Sequence, residues 1–157
     1  SESKLVAVRY PRGAQRAIPE SITPTFADFD VFGDENAEKA IITYGRTFSA
    51  CAFAYEKLVN SGESVKLIKL NRIIPVCEGA VEAAKDCRDV YFFEEGIRRG
   101  GAGEGFLFDL SKAGFSGKYH LRAIENGFVK QASVESLLHK YGFDEEGVLS
   151  FVTSAED

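Results

Sequence analysis

The chain has no methionine among its 157 residues, so it carries no translation start and is expected to be a piece cut from a longer protein. Long apolar runs are missing as well. Nothing approaches the ~20 residues that cross a bilayer, and no signal-type apolar region opens the chain, so no membrane partner is expected. Positive charge is in deficit: 19 Lys and Arg stand against 24 Asp and Glu, a net charge of -5. Nucleic-acid binding needs concentrated positive charge, and the closest basic pair, Arg98 and Arg99, is too small to supply it. Cysteine is scarce and odd in number. Cys51, Cys77 and Cys87 form no C-x-x-C, and His120 and His139 lie far from them in sequence, so no metal-ligand spacing arises. The thiols read as buried small side chains in a reducing, cytoplasmic setting.

The content of 45% hydrophobic and 27% charged residues is that of a folded soluble domain rather than a disordered tail. "LVAVRY" (Leu5–Tyr10) reads as a short strand stopped by Pro11 and Gly13. "FADFDVF", with Phe29, Val31 and Phe32, reads as a strand or edge strand. "KAIITYG", ended by Gly45, is apolar on both faces, as a central parallel strand must be. Phe48, Cys51, Ala52, Tyr55, Leu58 and Val59 form one helical stripe, with Thr47 as its cap and Gly62 as its stop. Then follow the strand "SVKLIKL", the helix "EGAVEAAKDC", the strand "DVYFFEE", the helix "GEGFLFDLSKAG" and the strand "KYHLRAIE". "SVESLLHKYG" reads as a helix between Ser133 and Gly142, and residues 144–154 as a terminal helix. This alternation predicts an α/β fold with a mostly parallel sheet, helices on both faces and right-handed crossovers.

No complete active site is spelled out. A dinucleotide fingerprint that includes Gly101 and Gly103 needs a third glycine at 106, which is Phe106. Gly117-Lys118 is followed by Tyr119, so there is no phosphate loop, and "GFSGK" around Ser116 misses the nucleophile elbow. Glu94 and Glu95 are neighbours on a strand and point to opposite faces, which suits solvation or pairing with Arg98 or Arg99 rather than acid/base work. His120 sits mid-strand as a core or surface imidazole. Two places remain open to ligands. The turn Arg98, Arg99, Gly100, Gly101, Gly103 is either a packing turn, with Gly105 beside it, or an anion-binding regulatory turn at a helix start. In "VRYPRG", Arg9 and Arg12 flank a Tyr-Pro turn, and the planar fork of arginine suits a phosphate or carboxylate.

The segments "AVRYPRG", "AIITYG", "NRIIP", "FFEEGIRRGGAGEG" and "LLHKYGFDEEGV", in this order and over nearly the whole chain, resemble the C-terminal part of the 1-deoxy-D-xylulose-5-phosphate synthases, which are transketolase-like and thiamine-diphosphate-dependent. The resemblance implies a five-stranded three-layer α/β/α domain with one antiparallel strand over residues 25–157, and residues 1–24 as the tail of the preceding domain. Thiamine diphosphate, magnesium and the catalytic residues would lie in the missing N-terminal and middle domains. This fragment would hold none of them, be inactive alone, and serve assembly of a homodimer. The parent would join pyruvate to glyceraldehyde 3-phosphate with loss of CO2, a step towards isoprenoids and thiamine. Arg12, and secondarily Arg9, would contact the acceptor phosphate. Two motifs depart from the family: Ile74-Pro75 replaces Lys-Pro, and Phe128-Val129-Lys130-Gln131-Ala132 replaces Phe-(Ile/Val)-Pro-Gln-Gly. A related enzyme with another substrate therefore stays open, as does a nucleotide- or phosphate-binding regulatory module.

Overall fold

The computed structural model describes residues 5–8, 10, 16–125 and 127–154. Its elements are β1 (Phe29–Phe32), β2 (Lys39–Tyr44), α1 (Thr47–Asn60), β3 (Val65–Leu70), α2 (Glu78–Ala84), β4 (Asp89–Ile97), α3 (Ala102–Lys112), β5 (Lys118–Ile124), α4 (Val134–Tyr141) and α5 (Glu145–Thr153). The strands form one sheet in the order β1-β3-β2-β4-β5. β1 pairs antiparallel with β3, and every other pairing is parallel. The mostly parallel sheet with one antiparallel edge is the architecture expected.

Strand β2 lies at the centre because its residues are apolar on both sides. Ile41 faces α1 and α5, while Ala40 and Ile42 face α2 and α3. β4 alternates in the same way: Tyr91 and Phe93 enter the first core, Val90 and Phe92 the second. Each of these large side chains, removed from water, contributes about 1.5–3 kcal/mol. The three layers follow directly from that alternation.

Local signals end most helices where they were read. The Ser133 hydroxyl accepts the Ser136 N–H, and Gly142 turns the chain at φ 69. Asp144 starts α5 by accepting the Gly147 N–H at 2.9 Å. Thr47 behaves otherwise: it is the first residue of α1, and its hydroxyl donates backwards to the Tyr44 carbonyl at 2.8 Å. Val59, read into the stripe of α1, is turned out to solvent. Cys51 and Cys87 are buried as expected, whereas Cys77 is half-exposed at the start of α2.

A strand over Leu5–Tyr10 is not formed among the described residues, and Leu5, Val6, Val8 and Tyr10 are exposed. A strand needs a ladder partner, and this sheet pairs its edges β1 and β5 with nothing from that segment. Downstream of it the chain is held. Ile18 and Ile22 pack on the α1–α5 side, and the Ser49 hydroxyl donates to the Ala17 carbonyl.

Candidate functional site

In an open α/β sheet, ligands bind beyond the carboxyl ends of the strands, where successive connections leave in opposite directions. Here that point lies between β2 and β4, since the chain passes from β2 to β3 on one side and later fills β4 and β5 on the other. The residues placed there are Tyr44, Gly45 and Arg46 after β2, and Glu94 to Gly96 in β4.

Glu94 is fully buried. Its Oε1 accepts the Gly103 N–H at 3.0 Å, and its Oε2 accepts the Ala102 N–H at 3.0 Å and the Tyr44 hydroxyl at 2.8 Å. These two amides open α3, whose preceding residue, Gly101, has no side chain to cap them. The carboxylate therefore does the work of an N-cap from a neighbouring strand, at the positive end of the helix dipole. The glycines make the room. A methyl group on Gly96 would lie 2.8 Å from Glu94 Oε2, and one on Gly103 would lie 2.5 Å from Leu121 Cδ1 and 3.0 Å from Glu94 Oε1. One on Gly101 would strike both the Ile97 carbonyl and Glu94. Gly100 is required for a different reason, its φ of +77, and Gly105 faces open space. Within the turn, the Gly100 N–H donates to Glu104 at 2.7 Å.

Glu95, pointing the other way, pairs with Arg46 through two parallel bonds of 3.0 and 2.7 Å. The bond to Glu95 holds the guanidinium pKa above its ordinary value, against the opposing effect of burial. So neither acid pairs with Arg98 or Arg99 as the sequence suggested. Arg98 donates to Glu125 at 2.6 Å and to the Leu121 carbonyl at 2.7 Å. Arg99 is exposed and makes no ion pair among the described residues. Arg9 and Arg12 lie outside the described residues.

Beside Arg46 and Glu95 opens an apolar groove of about 140 Å³, lined by Ile124, Val129, Val134, Leu137 and Leu138. Sequence reasoning gave no binding role to any residue lining this groove, nor to Tyr44 and Arg46. Its signal was a weak one: apolar residues at 134, 137 and 138 on a short helix that follows the last strand.

His120 bonds Asp89 at 3.0 Å and stacks on Tyr91 at 4.5 Å, with Arg88 on the other carboxylate oxygen at 2.8 Å. No hydroxyl or thiol is bonded to that imidazole among the described residues, so it is a packed structural pair. Burial pushes the Cys51 thiol up to about 12, far from the thiolate a nucleophile needs. Among the described residues no three His, Cys, Asp or Glu side chains gather to hold a metal ion, and no helix is long and apolar enough to cross a membrane.

Comparison with known proteins agrees with this geometry. The sequence model of the family described as transketolase, C-terminal domain, matches residues 33–148. The 1-deoxy-D-xylulose-5-phosphate synthase of Bacteroides fragilis is 28% identical over 153 residues, 94% of this chain and 23% of that protein. The synthase of Shouchella clausii is 25% identical over 152 residues, 95% of this chain and 24% of that protein. The chain thus spans about a quarter of the length of the curated relatives it matches. A solved split-gene transketolase, described as an inactive β4 tetramer, shares the fold with a TM-score of 0.73 at 21% identity, over 88% of this chain and 46% of that one. The chain belongs to the transketolase C-terminal domain family.

Proposed function

We propose that the chain is the non-catalytic C-terminal domain of a 1-deoxy-D-xylulose-5-phosphate synthase, and that it serves assembly of the parent enzyme as a homodimer in the cytoplasm. One observation carries the reading: relatives of that activity match almost all of this chain with about a quarter of their own length. The closure of the switch point supports it. Where a ligand-binding α/β domain would present free donors, Tyr44, Glu94 and the α3 amides bond one another, and Arg46 is committed to Glu95.

Under this reading thiamine diphosphate and magnesium are held by the preceding domains, where the coenzyme acts as the electron sink for decarboxylation of pyruvate. Arg12, with Arg9, reaches the phosphate of the acceptor aldehyde from the junction between domains. The test is turnover of pyruvate and glyceraldehyde 3-phosphate with thiamine diphosphate and magnesium. The 157-residue chain alone is inactive, and the polypeptide rejoined to its upstream region is active; turnover by the isolated chain would falsify the reading. In the rejoined enzyme, Arg12→Ala raises KM for the aldehyde phosphate and leaves KM for pyruvate in place.

The rival reading takes Arg98, Arg99, Gly100, Gly101 and Gly103 as a phosphate- or nucleotide-binding regulatory turn. It rests on exposed Arg99, and it requires donors other than the Ala102 and Gly103 amides, which Glu94 occupies. It predicts that nucleotides raise the melting temperature of the chain, which the assembly reading does not.

A further inference from the structure

Five exposed apolar side chains of the folded part gather at one end of the sheet. Ile74 follows β3 at 82% exposure, Ile97 ends β4, and Phe128, at 106%, follows β5 together with Val129 and Val134. The three strands run parallel, so these residues leave the sheet at the same carboxyl end. Neighbouring strands are about 4.8 Å apart, which puts the loops after β3 and β5 within roughly 14 Å of each other. The 140 Å³ groove opens in this rim, with the Arg46–Glu95 pair as its polar margin. An apolar centre with a polar border is the anatomy of a protein interface.

What covers it is indicated by the length of the relatives and by where the chain enters. Relatives extend to about four times this chain. The upstream backbone arrives at the same end of the sheet: Ala17 is held by Ser49 in the first turn of α1, and α1 begins directly after Arg46. Farther upstream Val6, Val8 and Tyr10 stand exposed at strand spacing, a segment lacking a sheet of its own here. A domain tethered through that segment meets the rim at an effective concentration on the order of millimolar, which a free second copy at micromolar concentration does not match.

We infer that this carboxyl-end rim, centred on Phe128 and the groove at Val134, is the seat of the domain that precedes the chain in its parent polypeptide, an apolar side chain of that domain filling the groove. The inference rests on the reading above that such a parent exists. Its test mixes the chain with the separately produced polypeptide encoded immediately upstream, and follows binding by sedimentation velocity and calorimetry. Phe128→Asp and Val134→Glu alter exposed side chains and leave the fold intact. Each is expected to weaken binding roughly thirtyfold or more, as central interface residues do. Phe108→Asp, on the outer face of α3, is expected to bind like the unaltered chain. Binding insensitive to both rim variants overturns the seat. So does a Phe128→Asp chain that loses self-association but keeps its affinity for the upstream polypeptide, because the seat then belongs to a second copy. Turnover by the mixture separates the two ideas. Rim-sensitive binding without synthase turnover keeps the seat and sinks the proposed activity, whereas turnover with rim-insensitive binding does the reverse.

Discussion

Replacing Glu94 by glutamine tests whether a buried carboxylate holds the start of α3. The substitution keeps volume and planarity, so packing in the glycine socket is preserved. It changes one acceptor oxygen into an NH2 donor, yet all three partners of Glu94 are donors: the amides of Ala102 and Gly103, and the Tyr44 hydroxyl. Whichever way the amide turns, a donor faces a donor. If the NH2 faces Gly103, one amide is orphaned in a buried site, at about 1–3 kcal/mol. The lost charge at the helix start adds about 0.3–2 kcal/mol, towards the upper end because Glu94 is buried. The expected loss is therefore about 2–5 kcal/mol, a large share of the ~5–15 kcal/mol by which a domain of this size is stable. Urea unfolding reads it as a lower midpoint at unchanged slope. Tyr44→Phe removes only one donor and should cost about 1 kcal/mol. In combination with Glu94→Gln its cost should shrink, since the pair shares one bond. A Glu94→Gln chain within ~0.5 kcal/mol of the unaltered one would refute the internal cap.

Two glycines of α3, two residues apart, should respond with opposite sign. Gly103→Ala drives a methyl into Leu121 and Phe92 at 2.5 and 2.9 Å and should cost about 1–3 kcal/mol, whereas Gly105→Ala meets open space and should gain up to about 1 kcal/mol by helix propensity. Thermal unfolding of the two variants decides it. At the α4–α5 corner, the hydrogen bond to Asp144 raises the pKa of His139, while Asp144 is lowered because bonds from His139 and the Gly147 amide outweigh burial. The His139 contribution is thus complete below its unfolded pKa near 6.5 and fades as pH rises through the higher folded value; that of Asp144 is present above its unfolded 3.8 and fades as pH falls below it. Melting temperatures of His139→Gln should accordingly converge on those of the unaltered chain above neutrality and fall beneath them near pH 5. In the native chain a thiol reagent should label half-exposed Cys77 first and spare Cys51, whose thiol is pushed up to about 12; rapid labelling of Cys51 would contradict its burial.

The parallel sheet was legible because its evidence is redundant. β2 and β4 are apolar on both faces, a pattern only a doubly covered strand tolerates, and α1 carries a continuous stripe between them. Caps were legible where the capping atom sits beside the helix in sequence, as with Ser133 and Gly142; the last helix was read from residue 144, without its Asp144 cap. The start of α3 was not, because its cap comes from the preceding strand, Glu94 to Gly103, across a turn. Strand alternation placed Glu94 and Glu95 on opposite faces correctly, but could not tell which face was closed. The usable clue was a helix entered through Gly101 with no capping side chain, surrounded by glycines at 96 and 103 and one acid within reach. Leu5–Tyr10 was read as a strand from its side chains alone, and side chains do not supply the ladder.

A second buried charge on this face fills a helix end in the same way. Lys66 in β3, almost wholly buried, donates to the Ala83 carbonyl in the last turn of α2 at 2.7 Å and to the Glu35 carbonyl at 2.6 Å. A cation thus sits at the negative end of α2, and the Glu94 carboxylate at the positive end of α3, each from a strand under the helix. The start of α3 and the end of α2 are thus filled by the sheet itself. Among the groups left open at the carboxyl rim are the apolar Phe128, Ile74 and the groove. On the reading proposed above, these apolar side chains would meet protein rather than metabolite. Lys66→Met measures this directly. It removes the cation and leaves two carbonyls buried without a donor, so stability should fall by about 2–5 kcal/mol while affinity for the upstream polypeptide, measured under folded conditions, stays constant. A variant that kept its stability and lost that affinity would show that Lys66 serves the interface and not the helix.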